Sequence, residues 1–107
     1  MALRRKSKNQ SDLDSSEPVA VSIADMQPRQ YVCVCGKVTR MTARPTSGQP
    51  ALAVMVTDDT GTVTAVWTGR RSIGGITLGR RIAVRGVALA HGAKLEFTNP
   101  SYTLLPR

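Results

Sequence analysis

The chain has 107 residues, of which 41% are hydrophobic and 4% aromatic, and 15 Lys and Arg against 7 Asp and Glu give a formal charge of +8. That length holds one compact domain and excludes a catalytic cleft between two lobes. The positive surplus selects polyanions, nucleic acid ahead of an anionic membrane. Arginine outnumbers lysine, which suits bidentate phosphate contacts, although a GC-rich coding sequence produces the same bias.

Residues 1–28 differ in kind from the rest of the chain. A basic cluster of Arg4, Arg5, Lys6 and Lys8 precedes Asp12, Asp14 and Glu17, and one short apolar patch, Val19 to Met26, ends at Gln27-Pro28. This composition predicts a flexible, mostly disordered polar tail, with the folded domain over 29–107. Through Arg29 the bases and acids nearly cancel. From Gln30 onward ten bases face three acids, so the charge belongs to the domain and favours a basic face over a sticky tail. No apolar run follows the basic opening, and the longest one, Ala51 to Val56, is too short to span a bilayer. The expectation is a soluble cytoplasmic protein with no membrane partner.

The first strand is predicted over Tyr31–Met41, with Val32, Val34 and Val38 inward and Gly36 at a bend. Cys33 and Cys35 face the same way along it, a poor geometry for an unstrained disulfide, so reduced thiols are expected. A zinc site needs further ligands, and His91 is the only histidine; no metal or cofactor is expected. Residues 44–50 form a loop, and strands two (Ala51–Thr57) and three (Thr62–Thr68) meet at Asp58-Asp59-Thr60-Gly61. There the acidic side chains bond the turn backbone, and glycine supplies conformational freedom. The segment Gly69–Gly79 is too broken by glycine for a long helix and predicts a short helix or turn near Arg70–Ile73. Strand four covers Arg81–Leu89 with Ile82, Val84 and Gly86 on one side. His91-Gly92 turns into strand five, Lys94 to Leu105, with Leu95 and Phe97 inward and an interruption at Asn99-Pro100.

Five strands in a three-plus-two order predict an all-β fold, a five-stranded Greek-key barrel of the OB type. An SH3-like barrel is the alternative, with shorter strands and no need for the long insertion after strand three. The motifs Gly36-Lys37-Val38-Thr39, Val56-Thr57-Asp58-Asp59-Thr60-Gly61, Val66-Trp67-Thr68-Gly69-Arg70-Arg71, Ile76-Thr77-Leu78-Gly79-Arg80-Arg81, Arg85-Gly86 and Asn99-Pro100-Ser101-Tyr102 carry a resemblance. In this order and spacing, across Tyr31 to Leu105, the chain resembles small bacterial OB-fold nucleic-acid-binding proteins. It is more distantly similar to the OB wedge domain of the RecG fork-remodelling helicase. The resemblance implies a nucleic-acid-binding module without catalysis, for single-stranded DNA or RNA, and does not choose between them.

OB barrels bind single strands on the outer face of strands two and three, flanked by two loops. On that geometry Lys37, Arg40, Arg44, Arg81 and Arg85 are candidate phosphate contacts, and Arg70 and Arg71 beside Trp67 form a second basic group. Each arginine also has a plainer reading as part of a solvated barrel wall. Trp67 shares strand parity with Val63 and Ala65, so core packing competes with a stacking role. The outward residues of strands two and three, Ala53, Met55, Thr57, Thr62, Thr64 and Val66, make a smooth and mildly polar face. Binding there is expected to be electrostatic and poorly sequence-specific. Asp58 and Asp59 should repel a phosphate backbone from their end of the barrel, toward the 44–50 loop. The competing function is a protein-interaction module using the same smooth face. An enzyme is not expected, because His91 has no evident nucleophile partner and no phosphate-cradling glycine motif is present.

Overall fold

A computed structural model describes residues 17–44 and 47–106. Residues 1–16 of the expected tail lie outside the described residues. The elements in order are β1 (Val19–Ala20), a single 3₁₀ turn (Ile23–Asp25), β2 (Tyr31–Ala43), β3 (Ala51–Thr57), β4 (Thr62–Thr68), β5 (Arg81–His91), β6 (Lys94–Thr98) and β7 (Ser101–Leu104). Antiparallel pairings join β2 to β3, β3 to β4 and β5 to β6, a parallel pairing joins β4 to β6, and β2 closes the circle on β5. The 13-residue β2 makes this closure possible. Its first half pairs with β5 and its second half with β3.

The strand must curl where its partner changes, and Gly36 lies at that place. A Cβ there would come within 2.6 Å of the Thr57 carbonyl oxygen, so only glycine permits the close approach of β3. A register shift between Val38 and Arg40 comes immediately after it and adds twist. Alternation does the rest. Val32, Val34, Val38, Val54, Val56, Ile82, Val84 and Phe97 are buried in one continuous core. Strand five of the sequence reading is split at Asn99-Pro100, as its interruption predicts. Asn99 takes a positive φ of 51°, and its side chain bonds both the amide and the hydroxyl of Thr68. The two pieces, β6 and β7, pair with successive halves of β5.

Residues 69–80 contain turns and no helix. They still contribute to the core, because Ile73 and Ile76 are buried in it, and Tyr102 donates its hydroxyl to the Gly74 carbonyl. The N-terminal boundary differs from the expectation. Val19 and Ala20 pair in parallel with Val32 and Cys33, and Ile23 and Met26 are buried in the main core. The apolar patch that reads as part of a tail is therefore packed structure. Burial of two large side chains outweighs the polar composition around them. Among the described residues no helix is long and apolar enough to cross a membrane.

Candidate nucleic-acid interface

The strand alternation of β2 sorts its side chains. With Val32, Val34 and Val38 inside, the opposite parity sends Tyr31, Cys33, Cys35 and Lys37 outward. The bulge after Val38 keeps the outward face basic, because Lys37 stands opposite Thr57 and Arg40 opposite Met55, both on the outer side of β3. Across the other edge, Arg81 pairs with Lys37 and Arg85 with Cys33. Five predicted cations thus lie along one side of β2 and its neighbour: Arg85, Arg81, Lys37, Arg40 and, at the far end, Arg44. The Arg85 guanidinium is steadied by a 2.7 Å hydrogen bond to Thr103 Oγ1. Cys33 and Cys35 are free thiols within this band. Burial pushes the Cys35 thiol up, its neighbour Cys33 adds to the shift, and Arg81 and Arg85 oppose it.

The acidic turn does not stand apart from the cations. Lys37 and Arg81 line the same open cleft as Asp58 and Asp59, so the acids expected to repel a phosphate backbone border two of the candidate phosphate contacts. The reason is the curl of β2, which brings its midpoint to the turn end of the β3–β4 hairpin. Asp58 itself is committed locally. Partial burial pushes its carboxyl up, but hydrogen bonds from the Thr60 hydroxyl and the amides of Ile23, Thr60 and Gly61 outweigh it and hold the pKa at about 2. One of these bonds, from the Ile23 amide at 2.9 Å, ties the turn to the N-terminal segment.

Trp67 requires a correction. Its side chain is 6% exposed, its indole N–H donates to the Pro100 carbonyl at 3.1 Å, and its ring meets Tyr102 edge to face at 5.8 Å. It shares the inward parity of Val63 and Ala65, so no ring face is offered to a base. Arg70 and Arg71 are exposed after β4 and border different hollows, and only Arg70 shares one with Trp67. Arg71 faces a hollow with Gln49, Pro50 and Ala51, whereas Arg70 borders one with Asn99 and Tyr102.

The outer face of β3 and β4 holds an arrangement that the sequence reading missed. Arg44 Nη1 lies 3.0 Å from Glu96 Oε2, and His91 Nδ1 lies 3.9 Å from Glu96 Oε1. Arg44 sits beside Ala51, and Glu96 beside Thr64 on β6, so their bridge crosses the sheet diagonally. Ala51, Ala53 and Val66 form a small cluster separate from the core, buried although they are outward by strand parity. Part of the expected smooth face is therefore buried, and the Glu96 carboxylate is itself only 14% exposed.

No family model and no curated protein matches the sequence. Solved structures match the fold. A domain of replication protein A from Methanococcus maripaludis superposes with a TM-score of 0.68 at 16% identity, over 81% of this chain and 96% of that one. The OB domain of MM0293 from Methanosarcina mazei gives 0.66 at 16% identity, over 86% and 88%. The fold is an OB barrel. A third similar structure, RecG bound to a three-way DNA junction, gives 0.65 at 16% identity over 79% of this chain and 12% of RecG. In this OB barrel β2 to β6 form the closed sheet.

Proposed function

We propose that this OB barrel binds single-stranded nucleic acid, DNA or RNA, along the outward side of β2, by phosphate contacts and without catalysis. The observation that carries the reading is the alignment of Lys37, Arg40, Arg81 and Arg85 on one continuous surface, with Arg44 at its end. A flexible polyanion can lie along such a band, and the counterions it releases there favour binding. Similarity to a replication protein A domain and to part of a DNA-bound RecG supports a nucleic-acid ligand. With Trp67 inside, affinity comes from charge more than from stacking. Two free thiols on the surface suit a reducing compartment, the cytoplasm.

The test is a titration of labelled single-stranded DNA, RNA and duplex across a salt series. Four phosphate contacts on a single strand give a log-log slope of about −2.8, at about −0.7 per contact. A flat salt dependence overturns the reading. A second reading, a protein partner, is favoured by one observation: Tyr31 and Val87 pair across β2 and β5 with both side chains exposed, and Leu89 is exposed two residues on. Such a partner would bind with little salt dependence and lose affinity on Val87→Asp.

A further inference from the structure

A carboxylate beside a phosphate-binding band is unfavourable unless it does something other than meet phosphate. Glu96 is such a group. Its side chain is 14% exposed, one oxygen is fixed by Arg44, and the other has, among the described residues, only His91 at 3.9 Å. Across the sheet it stands opposite Thr64 of β4 and Leu89 of β5, with Lys94 and Thr98 on the same side of its own strand, so Arg44, His91 and Lys94 are the cationic or titratable groups near it. Its link to the band is Arg44, 3.0 Å away at the end of the cations, so a strand that runs along β2 and passes Arg44 brings a base to Glu96. The geometry points to Glu96, positioned by Arg44, as a base-reading residue that selects guanine. This assignment rests on the nucleic-acid reading above.

The chemistry comes from the edges of the bases. Guanine alone presents two adjacent N–H donors, N1 and N2, beside a carbonyl acceptor, O6. An ionised carboxylate accepts at both oxygens through about four lone-pair sites, and an arginine that has given one N–H to it keeps others for O6. Thymine and uracil place a single N–H between two carbonyl oxygens, which the carboxylate repels. Cytosine and adenine offer one amino group next to an acceptor. The bridge thus matches guanine in both sign and order, whereas an ion pair that only ties β2 to β6 would be indifferent to the base.

The experiment uses the full chain and three labelled DNA strands of about 12 nucleotides, within the reach of one OB barrel. One is all thymine, one carries two central guanines, and one carries inosine at those places, which lacks the N2 amino group. The guanine strand is expected to bind about fivefold or more tightly than the thymine strand, with most of that preference lost for inosine. Glu96→Gln should reduce the preference to below about twofold without weakening the thymine strand, since it removes a negative charge. Equal binding of the three strands by the unaltered protein overturns the assignment and leaves the phosphate band standing. So does a guanine preference that survives in E96Q. If no strand binds in a salt-dependent way, the band itself is refuted and the assignment falls with it.

Discussion

Replacing Arg81 and Arg85 together with glutamine removes half of the four cations that line β2 beside Arg44, which is itself engaged by Glu96. At about −0.7 per phosphate contact, the slope of log affinity against log salt should fall in magnitude from about 2.8 to about 1.4. Between about 50 and 200 mM salt the unaltered protein would then lose affinity about 50-fold and the variant about sevenfold. Fluorescence anisotropy with a labelled oligothymidine over that range measures both slopes. The comparison of slopes is insensitive to a uniform change in active fraction. Both side chains lie on the outside of β5, and of the two only Arg85 makes a side-chain hydrogen bond among the described residues, to Thr103, so the barrel should keep its far-UV spectrum. An unchanged slope would show that the strand does not run along β2 and would refute the band.

Packing and charge set three more outcomes. Trp67→Ala should cost about 3–5 kcal/mol in urea denaturation, while Trp67→Phe, which loses mainly the hydrogen bond to Pro100, costs about 1 kcal/mol and leaves oligothymidine affinity intact; a selective loss of affinity in W67F would restore a stacking role. The Asp58 carboxyl has a folded pKa of about 2, below its ordinary value of 3.8, so its contribution is present above about pH 4 and is lost as the pH falls through 2. Asp58→Asn should lower the urea midpoint at pH 7 and narrow its gap to the unaltered protein at pH 2, and parallel pH profiles would contradict this. Gly36→Ala forces a Cβ to 2.6 Å from the Thr57 oxygen and should destabilise by about 1–3 kcal/mol, read from thermal melting. Unaltered melting would mean that β2 and β3 separate there at no cost.

The barrel strands were legible because each turns one set of alternate residues to the core. Val32-Val34 and Ile82-Val84 alternate cleanly, and the strand ends fall at glycine, proline or the acidic turn. The packed segment before β2 was less legible. Val21, Ile23 and Met26 are the only signal, and their packing goes with Asp58 and Thr60, more than thirty residues away, accepting backbone N–H groups of the segment. The cations of the band were all visible by type, and the parity of each strand aimed most of them correctly. What no local pattern carries is a partner 52 residues distant: Glu96 reads as one outward residue of a short strand until the fold sets it against Arg44. Nor does parity carry the burial of Ala53 and Val66, which point outward yet are covered. Gly36 marks the bend of β2 in the sequence, but what the curl brings together does not show there: Asp58 and Asp59 border Lys37 and Arg81.

The 3₁₀ turn at Ile23–Asp25 acts as a stopper for the barrel. It rests beside Thr62, Val63, Lys94 and Leu95 and is latched from outside by Asp58 and Thr60. Trimming the protein to begin at Arg29, the start that hydropathy alone recommends, would pull that stopper. An oily opening would then face water next to Lys94, two latching oxygens would lose their amide donors, and the shortened barrel would tend to pair with itself through the hole.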